Sequence, residues 1–387
     1  MSTVPFPASG SFIKSVRESA RKVRTENQIS ITDESIHRLL TSPAFTQSFA
    51  RVSKLHGLAM PLNFSSPLAE LNVLAILSLL NFGSGYRVPL HEATGHGAWD
   101  SMRALVLSMY ITDEGLLTAR GMQSADVGKV AELMRVNIHV EKPHESIPGV
   151  TVGELGGPMY ELTTLITGAL NETGDILVGA GYPDLGTFVA QALELANDAE
   201  AILERASQHR LARAIPAFRD MALVNGHPIY CFKKVLFLIN GIRVRFGAAS
   251  SSPFPIPPST SHLPIFSDNV IPSLLVHLGV IDLSASPILR GVFSDSHSEK
   301  KITSLLETSD VSSRQGLPRE GPKLTAGQSF VLRAAAIDAC EMIVAAAESA
   351  ALGITLSDLD AWVWQIAKDR DDYRQLERFA EKGTIFF

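Results

Sequence analysis

Apolar residues recur at three- and four-residue spacing through long stretches of this 387-residue chain, and they rarely alternate. That periodicity marks helices that bury one stripe rather than strands that bury one face. The spacing predicts helices over Ser101–Tyr110, Val127–Met134, Met159–Leu177, Leu185–Ala206 and Lys233–Val244. Thr325 with Gln328 reads as a capping box opening a helix that runs to about Gly353. Thr355 with Asp358 opens another, which continues past Asp369. Strand signals reduce to one hairpin, in which Ala222–Val224 and Pro228–Phe232 flank the turn pair Asn225–Gly226. The Pro/Ser-rich stretch 248–264 and the polar stretch 307–323 read as internal loops, and no repeat at a solenoid period is present. The expected class is mainly α: a single helical domain over residues 1–387 with a small β-hairpin.

Composition narrows the function classes. Apolar residues make up 45% and charged residues 19%, which excludes a disordered chain. A net charge of −6 argues against stable binding to nucleic acid or to an anionic membrane surface, because both need clustered positive charge. Cys231 and Cys340 are the only cysteines, too few for a disulfide framework or a four-thiolate zinc site. They suit a reducing compartment. The most apolar stretch, Leu68 to Phe82, is interrupted by Glu70, Asn72 and Asn81 and falls short of the roughly 20 apolar residues a bilayer requires. No apolar signal core opens the chain, and Glu18 and Glu26 argue against a transit peptide in the basic run Ile13 to Arg24. The expectation is a cytoplasmic protein without a membrane partner; oligomeric state is not legible.

Several motifs mislead. His91 and His96 mimic a zinc-protease pair, but their five-residue spacing turns the second about 140° from the first, Gly95 weakens a helix and Pro89 points to a loop. Gly179-Ala180-Gly181 lacks a preceding strand and reads as a helix end followed by a turn. Ser84 lies in Gly83-Ser84-Gly85, a turn rather than a nucleophile elbow. No metal site and no organic cofactor are expected.

Four places carry polar or aromatic groups that packing alone does not explain. His56 lies in a turn-like stretch ending at Pro61 and suits either a structural or a ligand-facing role. Phe266-Ser267-Asp268-Asn269 precedes a helix, where Asp268 serves as a helix-start carboxylate or as a reactive one. Lys233 and Lys234 open an apolar helix, as a solvated start or as a phosphate clamp. Asp360 and Trp364 share a helix face, as core Trp and solvated Asp or as a grip for a flat, hydrogen-bonding heterocycle.

In order along the chain, these segments resemble the queuosine salvage protein family, the queuosine 5′-phosphate N-glycosylases. The resemblance rests on Arg17-Glu18-Ser19-Ala20, Leu55-His56, Leu80-Asn81-Phe82, Gly97-x-Trp99 and Leu170-Asn171-Glu172-Thr173-Gly174. It continues through Phe218-Arg219-Asp220, Phe232-Lys233-Lys234, Phe266-Ser267-Asp268 with Pro272, and His277-Leu278-Gly279. Arg333, Glu341, Asp360 to Trp364 and the final Phe386-Phe387 complete it. The resemblance implies a fold similar to helical DNA glycosylases. It also implies hydrolysis of the bond between queuine, a 7-deazaguanine, and ribose 5′-phosphate, supplying the base for transfer-RNA modification. On that resemblance Asp268 is the catalytic carboxylate, Asp360 accepts the base's N–H donors, and His56, Phe266 and Trp364 frame the heterocycle. Lys233 and Lys234 hold the phosphate. The chain departs from the family pattern: Asn269-Val270 replaces Tyr-Arg after the Asp, Ser273 a Gln, Ala361 a Tyr and Gln365 an Asp. Two other outcomes stay open on those departures: a catalytically weak queuine- or nucleotide-binding protein, or a hydrolase of another modified nucleotide.

Overall fold

The computed structural model describes residues 4–53, 57–60, 62–112, 114–196, 198–204, 211–248, 252–307 and 318–387. Helices dominate it, with two separate two-stranded antiparallel sheets. The fold is mainly α, as the periodicity requires.

Capping chemistry sets the helix ends that position the site. Pro67–Leu79 begins at Ser66, whose hydroxyl accepts the Ala69 N–H, and Pro67 occupies the first turn, where its missing N–H costs nothing. Both expected capping boxes form: Thr325 with Gln328 opens Ala326–Ser349, and Thr355 with Asp358 opens Leu356–Asp369. The Met221–Val224 and His227–Tyr230 hairpin closes on Asn225 and Gly226 at φ 51° and 79°, the left-handed pair that a tight hairpin turn demands. One apolar core runs from Phe12 to Phe387 and takes in nearly every long helix. The Pro67–Leu79 helix lies inside it, with Leu71 to Leu79 all buried, so its apolarity is core and not lipid-facing. Among the described residues no single helix is long and apolar enough to cross a membrane.

Several expectations are corrected. The Leu185–Ala206 pattern splits into Leu185–Glu194 and Ala199–Glu204. Asp198 accepts the Ala201 N–H and caps a fresh helix, while the apolar spacing carries on unbroken. The Leu356–Asp369 helix stops at Asp369, and a short Asp371–Arg374 turn follows. The Thr325 helix ends at Ser349, four residues before Gly353, through a left-handed Ala351. Pro89 does not make a loop: it sits in the first turn of Arg87–Thr94, where proline is tolerated, and Gly95 at φ 73° ends that helix. A second hairpin, His139–Pro143 with Thr151–Leu155, left no sequence signal because both of its faces are largely exposed and need no alternation.

Candidate functional site

Two helices face each other across a slot. Lys233–Phe246 presents Lys233, Phe237 and Asn240, spaced i, i+4, i+7 on one face. Leu356–Asp369 presents Ser357, Asp360, Ala361 and Trp364 on its own face, and Lys368 one turn further on. Lys233 and Trp364 line two adjoining cavities, whereas Asn240 and Ser357 line only the first and Lys368 only the second. The helices therefore run in opposite directions along the slot.

The first cavity is walled by rings. Trp364 meets Trp99 edge-on at 5.9 Å, Trp99 meets Phe237 at 5.3 Å, and Phe237 meets Phe266 at 6.0 Å. Such a chain of edge-to-face rings leaves flat apolar faces open to a planar guest. Gly57, at φ 64°, packs against this wall: a Cβ there would lie 3.1 Å from the Trp364 ring. Its polar lining groups are Asn240, Ser357 and Asp360, with Asn81, Lys233 and Asp268 shared with the second cavity.

The second cavity is cationic. Arg87, Lys233, Lys368 and Arg378 line it. Among the described residues Arg87, Lys233 and Arg378 have no carboxylate within ion-pair distance. Their N–H groups go instead to backbone carbonyls: Arg87 to Arg374 and Leu376, Arg378 to Ala367, and Lys233 to Asn81. Lys368 lies 3.7 Å above the Trp364 ring and 3.5 Å from Asp100. Burial lowers the Lys233 and Lys368 ammoniums to about 8, partly opposed by Asp268 and Asp100 respectively. Burial also pulls Arg87 and Arg378 below their ordinary values, yet a guanidinium keeps its charge across the accessible pH range. Three of these four cations have no ion-pair partner among the described residues, and Asp268 is the carboxylate that shares the cavity with them, so the cluster has the charge to accept an anion.

Asp268 stands where the two cavities meet and lines both. Its Oδ1 accepts the N–H of Val270 at 2.7 Å and of Ile271 at 3.3 Å, so from the residue before the N-cap Asn269 it satisfies the first N–H groups of the Val270–His277 helix. Its second oxygen has no hydrogen-bond partner among the described residues. The structural and the reactive readings of this residue are therefore compatible: capping fixes one oxygen and so aims the other. Asp360 is held in a similar way, with Oδ2 accepting the Phe266 N–H at 2.7 Å. Burial, reinforced by nearby Asp268 and opposed by the Phe266 N–H, raises the Asp360 carboxyl to about 7.

Loop geometry places the remaining cations. Gly83 is left-handed at φ 98°, and a Cβ on Gly85 would fall 2.2 Å from the Glu381 carbonyl oxygen. That glycine-shaped turn lets Arg87 begin a helix at the cavity wall. Arg378 is set from the other side by its neighbour Phe379: Asn269 Nδ2 donates to the Phe379 carbonyl at 2.9 Å, and the Phe379 N–H donates to Ser273 Oγ at 3.2 Å. Asn269 and Ser273 are two of the positions that depart from the resembled pattern, so those departures rebuild a support for Arg378.

A buried ion pair braces the whole site. Arg333 and Asp220, both fully buried, form a bidentate pair at 2.9 and 2.6 Å. Asp220 Oδ2 also accepts the Lys233 N–H, and Arg333 Nε donates to the Ser267 carbonyl. The pair thus ties the start of the Lys233 helix to the segment that carries Asp268.

Of the residues singled out from sequence, the structure brings Phe266, Asp268, Asp360, Trp364 and Lys233 together. Lys234 lines neither cavity: its ammonium donates to the carbonyls of Leu79 and Ile385 and lies over the Phe82 ring, and burial and Lys233 lower it well below its ordinary value. His56 lies outside the described residues. Trp99, Phe237, Asn240, Arg87, Lys368 and Arg378 were not anticipated as site residues. Helical spacing from Lys233 and Trp364 could have found Phe237, Asn240 and Lys368; nothing local marks Arg87 or Arg378. No group of three or more His, Cys, Asp or Glu among the described residues could hold a metal ion.

Residues 104–295 match a family model described as queuosine salvage protein, about half of the chain. The match includes Lys233, Phe266 and Asp268, while Arg87, Asp360 and Trp364 lie outside it. No curated protein matches the chain.

Proposed function

The chain belongs to the queuosine salvage protein family, and from that premise we propose that it hydrolyses the N-glycosidic bond of queuosine 5′-monophosphate, releasing queuine. The observation that carries this reading is the position of Asp268, at the junction of a ring-walled slot and a cluster of four cations. A nucleotide has the same order: base, C1′, then phosphate. With the base among the rings and the phosphate among Arg87, Lys233, Lys368 and Arg378, C1′ comes to the free oxygen of Asp268.

Departure of the base takes the glycosidic electron pair with it and leaves positive charge shared between C1′ and the ring oxygen. A carboxylate beneath the sugar stabilises that charge, or bonds to C1′ and is then displaced by water. Water supplies the hydroxyl that ends on C1′, and its proton balances the departing base. Position 7 of a 7-deazaguanine is carbon, so the base is not activated there as a purine is. Its negative charge must be met at its other edges by a proton, which water supplies, while Asp360 holds the base in the slot as acceptor of its N–H groups.

The test is to mix the purified protein with queuosine 5′-monophosphate and with the unphosphorylated nucleoside, and to follow free queuine by mass spectrometry. Release from the phosphate, at least about 100-fold faster than from the nucleoside, is expected because the cation cluster goes unused without it. Binding of queuine without release from either would make the chain a binding protein instead.

A pH profile follows from the same groups. Base recognition needs the Asp360 carboxylate, so kcat/KM falls as pH drops through about 7. Phosphate recognition needs Lys233 and Lys368 protonated, so kcat/KM falls again as pH rises past about 8. The expected profile is a narrow bell between them. A flat profile from pH 6 to 9 would remove both groups from recognition.

A further inference from the structure

Asn240 lies seven residues beyond Lys233 on the same helix face, a displacement of about 10.5 Å along the axis. It is 5% exposed and lines the ring-walled cavity at the end remote from the cations. Its Oδ1 accepts the hydroxyl of Thr260 at 2.8 Å, a buried bond from the Pro/Ser-rich loop. In this arrangement Oδ1 is engaged and Nδ2 is the open side of the amide. Its Nδ2 has no hydrogen-bond partner among the described residues, and the cavity that Asn240 lines can supply one. A ligand that offers an acceptor there gains a hydrogen bond in a largely enclosed slot.

Asp360 lies nearer the junction with Asp268, with one oxygen taken by the Phe266 N–H and the other free of protein donors among the described residues. From the far end inward, the slot therefore presents a donor and then an acceptor. The exocyclic atom at position 6 of a purine-like base lies farthest from the glycosidic nitrogen. The ring nitrogen at position 1 and the substituent at position 2 come next.

We infer that Asn240 is the specificity-determining residue of the slot, donating to a 6-oxo group while Asp360 accepts the adjoining N–H groups, so that the site takes 6-oxo and rejects 6-amino bases. This rests on the reading of the slot as the base site. A 6-amino base puts a donor against Asn240 and an unprotonated ring nitrogen against Asp360. Two buried mismatches of that kind discriminate strongly, because each leaves a polar group unpaired. Thr260 acts through Asn240 as a positioning residue: without its hydroxyl the amide is free to rotate and present either face.

The experiment compares binding of free 7-deazaguanine and 7-deazaadenine by calorimetry, which needs no turnover. The parent chain is expected to prefer 7-deazaguanine by roughly 100-fold or more. Asn240→Leu, of similar shape, should reduce that ratio by about tenfold or more. Thr260→Val should reduce it as well, and it carries the comparison if the first variant fails to fold. A merely structural role would weaken both bases alike and leave the ratio unchanged. If both variants bind 7-deazaguanine with the parent's ratio, Asn240 does not read the base, and the hydrolase reading survives. If the parent binds neither base, this inference and the reading beneath it fall together.

Discussion

Asp268→Asn is expected to slow release of queuine from queuosine 5′-monophosphate by at least about 10³-fold, with little change in the melting temperature. The amide keeps an oxygen that can accept the Val270 and Ile271 N–H groups, so the helix stays capped and the loop stays in place. What it loses is the charge facing C1′. Queuine binding should persist, because the rings, Asp360 and Asn240 are untouched. Asp268→Ala removes both charge and cap and should cost about 1 kcal/mol of stability besides. Comparison of the two variants separates the carboxylate's chemical role from its architectural one. Turnover of Asp268→Asn at the parent rate would show that another group stabilises the sugar cation.

The largest stability effect should come from the brace. Arg333→Met leaves the Asp220 carboxylate buried without its partner, with the Lys233 N–H the one donor to its side chain that remains among the described residues. Breaking a buried pair from one side costs about 3–5 kcal/mol, since the remaining charge stays desolvated. Burial alone would lower the Arg333 guanidinium, but Asp220 outweighs it and the net shift is upward, which reflects how closely the two are matched. Arg333→Met combined with Asp220→Leu should recover a large part of that loss in urea titrations, because the orphaned charge is gone. Catalysis should not recover with it, because the anchor at the Ser267 carbonyl and the cap on the Lys233 helix are absent from the double variant. Full recovery of both would mean that the pair only fills space.

The helices were legible because their burial is one-sided and their ends carry side-chain caps: Thr325 and Thr355 declare themselves in four residues each. The break near Asp198 and the early stop at Asp369 were not, because the apolar rhythm continues through the first and no glycine or proline marks the second. The site divides along the same line. Lys233, Asp268, Asp360 and Trp364 belong to local patterns, and the two helical stripes follow from them by spacing. Arg87 and Arg378 do not. Each reaches the cavity through a backbone course set far away in sequence, the Gly85 approach to Glu381 for one and the Asn269–Ser273 grip on Phe379 for the other. Lys234 fails in the opposite sense. A one-residue step along a helix turns a side chain about 100°, enough to send its neighbour into the slot and it into the core.

The sign of the cation cluster opposes that of the molecule around it. The chain as a whole carries a net charge of −6, while four positive groups gather at one end of the slot. At physiological ionic strength the attraction of such a cluster reaches about 8 Å before salt damps it. A small dianion that arrives at the opening falls inside that range and is drawn in. A polynucleotide brings many more charges to a molecule whose net charge is −6, which disfavours its approach as a whole. Such a distribution would sort fragments from polymers by size, without reading either: modified nucleotides freed by RNA turnover would gain entry, while intact transfer RNA, which carries the same base, would be left alone.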